Sequence, residues 1–146
     1  MQTYMIVEDE PDLYEMLTHM STMIGVNEVA FTTGEESVAW IEEVDAGLFN
    51  DDLPVLALID IRLPGATDGI MVAERLRASP HLQHVAVVLM TAYHLSPEDE
   101  AQAKQRAGAN LLLYKPLPRI ADLRQILANE AQARLKTTDS NKPKKA

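Results

Sequence analysis

Five short apolar runs alternate with five segments of helical period along nearly the whole chain, and that alternation leaves few folds open. Thr3 to Val7, Val26 to Phe31, Val55 to Ile59, Val85 to Met90 and Leu111 to Tyr114 read as strands. The first helical segment, Pro11 to Ile24, places Leu13, Met16, Leu17, Met20 and Ile24 on one face. The spacing of Thr33 and Glu36 predicts a capping box and a helix to about Ala46. Asp68-Gly69 opens a third helix to about Ala78, which Ser79-Pro80 stops. Ser96 caps a fourth from Pro97 to Ala107, followed by Gly108, and a fifth runs from about Arg119 to Leu135. Strands rich in Val, Ile and Leu between such helices predict a parallel sheet covered on both faces. In open sheets of that kind, chemistry sits beyond the carboxyl ends of the strands.

The residues just past those ends are unusually polar. Strand one runs into Glu8-Asp9-Glu10, strand three into Asp60, strand four into Thr91 and strand five into Lys115-Pro116. Asp60 follows five apolar residues, a costly place for a carboxylate unless it is solvated, paired or used. If the ends converge, three or four carboxylates face one lysine and one hydroxyl. Two carboxylates about 5 Å apart repel by roughly 3 kcal/mol at an effective dielectric of 20, so such a cluster holds protons or a cation. Oxygen-only ligands favour a hard ion, and Mg²⁺ suits a site with few carboxylates. A carboxylate beside Mg²⁺, an ammonium and a hydroxyl is a plausible nucleophile toward a phosphoryl group.

The motifs V-E-D-E at 7–10, L-I-D at 58–60, L-P-G at 63–65, D-G at 68–69, M-T-A at 90–92, A-G-A-N at 107–110 and K-P at 115–116 stand in one order. Together they resemble the receiver domain of two-component response regulators, over about residues 2–130. The resemblance implies a flavodoxin-like doubly wound α/β fold, with five parallel strands ordered 2-1-3-4-5 and five helices. It implies that Asp60 accepts a phosphoryl group from a histidine kinase or phosphotransfer protein. Asp9, Asp60 and the backbone carbonyl of Arg62 would ligate Mg²⁺, with Glu8 acting mainly through water. Thr91 would move toward the phosphate and Lys115 would pair with it, with a cis bond to Pro116.

Two departures from the family pattern are visible. The segment IRLPGAT between Asp60 and Asp68 is one residue longer than usual, an insertion expected to be absorbed around Gly65-Ala66-Thr67. The position three before the lysine, aromatic in many receivers, is Leu112, while Tyr114 adjoins Lys115. Arg62 and Tyr93 stand where receivers tune phosphate lifetime, and both are bulky enough to hinder an attacking water.

The remaining features bound the function class. Of the net charge of −9, the tail from Lys136 to Ala146 contributes four lysines and one aspartate, leaving −12 on residues 1–135. An acidic body argues against direct nucleic-acid binding. The chain divides into a receiver domain, 1–135, and a basic tail, 136–146, expected to be disordered. There is no cysteine, signal peptide or apolar run of membrane-spanning length, so the default location is cytoplasmic. No Gly-rich nucleotide loop appears, and one nucleophile without a distinct base argues against an enzyme acting on external phosphate esters. His81, His84 and His94 read as surface histidines and Trp40 as core. The expected function is a single-domain phosphorylatable switch that signals by partner binding or phosphorelay. The alternative is a phosphorylation-independent interaction module on the same fold. Receivers often dimerise through the fourth helix, fifth strand and fifth helix, a face expected here to carry Lys104, Arg106, Asp122 and Arg124.

Overall fold

The computed structural model describes residues 1–140. Its elements run β1 (Thr3–Val7), α1 (Pro11–Ile24), β2 (Asn27–Phe31), α2 (Gly34–Asp45), β3 (Leu56–Asp60), α3 (Gly69–Ala78), β4 (Ala86–Thr91), α4 (Pro97–Ala107), β5 (Leu111–Tyr114) and α5 (Ile120–Ser140). The five strands form one parallel sheet in the order β2-β1-β3-β4-β5, as the resemblance implies. Among the described residues no helix is long and apolar enough to cross a membrane.

Strand alternation divides the core into two layers. Odd-numbered residues of β1, β3 and β4, including Met5, Val7, Ala57, Ile59, Val87 and Leu89, face α2, α3 and α4. Even-numbered ones, including Ile6, Leu58, Val88 and Met90, face α1 and α5, where Leu17, Met20, Leu123, Leu127 and Ala131 meet them. Trp40 lies in the first layer, edge-on to Phe49 at 5.3 Å between ring centroids and tilted against Phe31 at 5.7 Å. The helices are unequally anchored. Helix α3 buries Ile70, Val72, Ala73 and Leu76, whereas α4 buries Ala107 alone.

The helix starts follow local chemistry. Thr33 accepts the N–H of Glu36, Asp68 that of Met71, and Ser96 that of Asp99. Gly25 and Gly108 end α1 and α4 in the left-handed region that glycine adopts without a side-chain clash. The last helix differs from expectation: it continues past Leu135 to Ser140, so residues 136–140 of the expected tail are helical. No proline or glycine interrupts that stretch, and the Thr137 hydroxyl bonds back to the carbonyl of Ala133. The rest of the tail, 141–146, lies outside the described residues.

Candidate functional site

Register brings the strand ends together. Val7 pairs with Ile59, so Glu8 emerges beside Asp60, and Thr91 pairs with Tyr114, so Lys115 emerges beyond Thr91. Glu8, Asp60 and Lys115 continue the rows begun by Ile6, Leu58 and Leu113, on the α1/α5 side of the sheet. Lys115 Nζ donates to Asp60 Oδ2 at 2.7 Å and to Glu8 Oε1 and Oε2 at 2.9 and 3.2 Å. One carboxylate oxygen from each of Glu8, Asp9 and Asp60 lies within 4.8 Å of the others. Glu8 and Asp60 are buried and Asp9 is exposed, so the cluster opens to solvent on one side.

The electrostatics follow from that enclosure. Burial, then the neighbouring Asp60 carboxylate, push the Glu8 carboxyl up to about 7, against the opposing pull of Lys115. Burial alone would lower the Lys115 ammonium, but its bonds to Asp60 and Glu8 outweigh that and raise it above its ordinary value. The site thus holds a charged lysine, an acid able to release a proton near neutrality, and an all-oxygen face suited to a hard cation.

Backbone bonds fix the loops around the cluster. The Glu8 N–H donates to the Phe31 carbonyl, Ile61 N–H to Met90, and Lys115 N–H to Thr91 at 2.8 Å. Asp60 Oδ1 accepts the N–H of Arg62 at 3.1 Å. Gly69 packs on the backbone carbonyl of Asp60, where any Cβ would collide with it. Thr91 is buried, and its hydroxyl accepts the N–H of Tyr93 at 3.2 Å. The Lys115–Pro116 bond is cis.

Not every acid at the strand ends joins the cluster. Glu10 caps α1 instead, its carboxylate accepting the N–H groups of Asp12 and Leu13. The Arg62 guanidinium lies 3.8 Å above the ring of Tyr93, so two side chains that flank Asp60 and Thr91 in sequence touch each other. His81, His84 and His94 are all exposed. Arg106 turns away from the face formed by α4, β5 and α5 and pairs with Glu74 of α3 at 2.9 Å.

Three side-chain hydrogen bonds around the site were not visible from the sequence. Tyr114 shares the face of Leu112, stacks on His94 at 5.4 Å and donates its hydroxyl to Glu100 of α4 at 3.0 Å. Glu35 on α2 accepts the N–H groups of Ala66 and Thr67 in the β3–α3 loop. These contacts span 14 to 32 residues of sequence, and two of them end on backbone N–H groups that carry no residue signature.

The model of the response regulator receiver domain matches residues 4–128. No curated protein matches the chain. Among solved structures, a receiver domain described as CheY-like from Methanospirillum hungatei JF-1 superposes with a TM-score of 0.76 at 22% identity, covering 94% of this chain and 98% of its own. A chemotaxis protein of Vibrio cholerae, CheY4, gives 0.73 at 20% identity, covering 89% and 98%. The receiver domain of a sensor histidine kinase from Pseudomonas aeruginosa PAO1 gives 0.72 at 26% identity, covering 90% and 98%, and carries a magnesium ion coordinated in its active site cleft. A family match over most of the chain, on a sheet ordered 2-1-3-4-5 with its acids and lysine at the carboxyl edge, makes this chain a member of the response regulator receiver domain family.

Proposed function

We propose that the chain is a phosphorylatable switch of a two-component system, with Asp60 as the acceptor. The observation that carries this reading is the ion pair of Lys115 with Asp60 inside a cluster of three carboxylates. A carboxylate oxygen of Asp60 attacks the phosphorus of a phosphohistidine on a kinase or phosphotransfer protein. The new O–P bond forms as the N–P bond breaks, and the imidazole leaves with the electron pair. Lys115, held 2.7 Å from Asp60, supplies positive charge beside the transferred oxygens. Thr91 ends β4 at the same edge, and its hydroxyl would turn from Tyr93 toward a phosphate oxygen.

Glu8, Asp9 and Asp60 fit a hard divalent cation by donor type and mutual distance. With the backbone carbonyl of Arg62 they would hold Mg²⁺, Glu8 mainly through water. When bound, the ion offsets negative charge on acceptor and donor. Catalysis is confined to the domain's own phosphoryl transfer and loss, and output passes to a protein partner or onward in a relay. Cytoplasmic placement accompanies this reading, since the chain's partner would be a kinase's phosphohistidine.

Intact mass after incubation with acetyl phosphate and Mg²⁺ tests the reading. The expected gain is one phosphoryl group in the wild type, absent in Asp60→Asn and absent without Mg²⁺. Lack of any gain, together with no response to beryllofluoride and Mg²⁺, leaves a phosphorylation-independent interaction module.

A further inference from the structure

The loop between β3 and α3, expected from the family pattern to carry one added residue, begins with the backbone next to Asp60. Its ends are held locally, by Arg62 N–H on Asp60 Oδ1 and by Gly69 N–H on the Ile61 carbonyl at 2.8 Å. Its middle is caught from another element. Glu35, in the first turn of α2, accepts the N–H of Ala66 at 2.9 Å and of Thr67 at 3.0 Å through one oxygen, Oε1. The bonds to its own backbone N–H, then to Thr67 and Ala66, hold its carboxyl below the usual range.

The seat is close-fitting on both sides. Gly65 turns the loop at φ 86°, and a Cβ there would lie 2.7 Å from Glu35 Oε1. Gly34, beside Glu35, has no Cβ where the carbonyl of Thr67 lies. Helix α2 is itself tied to the opposite wall of the site. It follows β2 directly, whose last residue, Phe31, accepts the N–H of Glu8. A single short segment therefore links the acid loop after β1 to the lengthened loop after β3.

We infer that Glu35 is a positioning residue for the cation site. It fixes the lengthened loop so that the Arg62 carbonyl stays in register with Glu8, Asp9 and Asp60, without touching the cation itself. The inference rests on the proposed Mg²⁺ site. It explains how an added residue next to a metal ligand is accommodated: the surplus bends at Gly65 and is pinned from α2.

The adjacent Glu36 provides an internal control. It has the same charge and the same place in the first turn, but its carboxylate accepts the hydroxyls of Thr32 and Thr33 and does not reach the loop. Mg²⁺ titrations followed by amide chemical shifts would compare wild type, Glu35→Ala and Glu36→Ala, with circular dichroism verifying that each is folded. Groups hydrogen-bonded to a metal's ligands are worth about 10–100-fold in affinity. Glu35 acts one step further out, on the loop that carries a ligand, so a rise in Kd of up to about 10-fold is expected for Glu35→Ala. Glu36→Ala should stay near the wild-type Kd, and phosphoryl uptake by Glu35→Ala should return to the wild-type rate at saturating Mg²⁺. Equal weakening in both variants would reduce Glu35 to one more charge near the site, and an unchanged Kd in Glu35→Ala would remove its role altogether. Absence of Mg²⁺-dependent shifts in the wild type would overturn the parent reading and this inference with it, a result distinct from the other two.

Discussion

Glu8 holds a proton that two independent measurements can follow in opposite directions. Its side chain is wholly enclosed, and burial with the Asp60 carboxylate moves its pKa from 4.5 to about 7. Divalent cations bind the ionised carboxylate, so proton and Mg²⁺ compete for the site. With a pKa of about 7 the competition lowers apparent affinity by a factor of about 1.1 at pH 8 and about 11 at pH 6. The Kd for Mg²⁺ should therefore rise about 10-fold between pH 8 and pH 6.

The metal-free protein responds with the other sign. Glu8 has a folded pKa above its unfolded value, so between the two the folded state holds the extra proton. This contribution to stability is complete below about pH 4.5 and is lost as pH rises through about 7. Going from pH 8 to pH 6, the apo protein gains on the order of 1 kcal/mol from this group. Urea unfolding without metal and Mg²⁺ titration, each at pH 6, 7 and 8, give the two slopes. Glu8→Gln removes the proton while keeping the shape, and the difference between wild type and variant excludes groups that titrate elsewhere. If both proteins show the same pH slopes, Glu8 is ionised throughout and the assigned effect of burial is wrong.

Three further outcomes follow from single contacts. Gly69→Ala would drive a Cβ into the Asp60 carbonyl, and overpacking against backbone should cost about 1–3 kcal/mol in a thermal melt; an unchanged Tm would refute the close approach. If Asp60 is phosphorylated as proposed, Arg62→Ala removes the guanidinium from the Tyr93 ring and should give water freer access to the phosphoryl group. A cation–π contact at an exposed site is worth about 0.5–1 kcal/mol, so the phosphorylated form should decay up to about 5-fold faster by mass spectrometry, and an equal or longer lifetime would contradict the shielding. Tyr114→Phe deletes the bond to Glu100, and amide exchange across residues 97–107 should accelerate about 5-fold while global stability falls by no more than about 1 kcal/mol. Unchanged exchange in α4 would show that the hydroxyl does not hold the helix.

The legible parts of the fold are those dictated by local chemistry. Helices α1, α3 and α4 begin and end where the capping residues, Ser79-Pro80 and the glycines predict. Strand β4 starts at Ala86 rather than Val85, because the Val85 N–H turns back to the Leu82 carbonyl. The acids and the lysine were readable because each directly follows an apolar run, and parallel register aligns such positions without needing any special residue. Glu10 was indistinguishable from Glu8 and Asp9 in sequence, and only the phase of α1 makes it a cap. Arg106 depended on the rotation of α4 about its axis, which a helix with alanines for its apolar side barely encodes. Glu35 was out of reach for a different reason: it binds peptide N–H groups 31 and 32 residues away.

The unequal anchoring of the helices bears on where a change at Asp60 can go. Lys115 bonds Asp60 and Glu8 on one face of the sheet, while Tyr114, its neighbour, points to the other and bonds Glu100. If Asp60 takes a phosphoryl group as proposed, Lys115 must reorganise around added charge, and the backbone it shares with Tyr114 belongs to a strand of four residues paired on one side by β4. Helix α5 cannot follow cheaply, since Leu123, Leu127 and Ala131 are sunk in the core. Fully burying one such leucine is worth about 1.5–3 kcal/mol, and moving α5 disturbs two. Helix α4 presents a lower barrier, with one buried alanine, one tyrosine hydroxyl and the exposed pair of Arg106 with Glu74, an ion pair worth about 0–1 kcal/mol. Of the two helices, the one with fewer buried residues is thus also the one bonded to the lysine's neighbour, and on the proposed reading their energetic ordering makes α4 the one that yields.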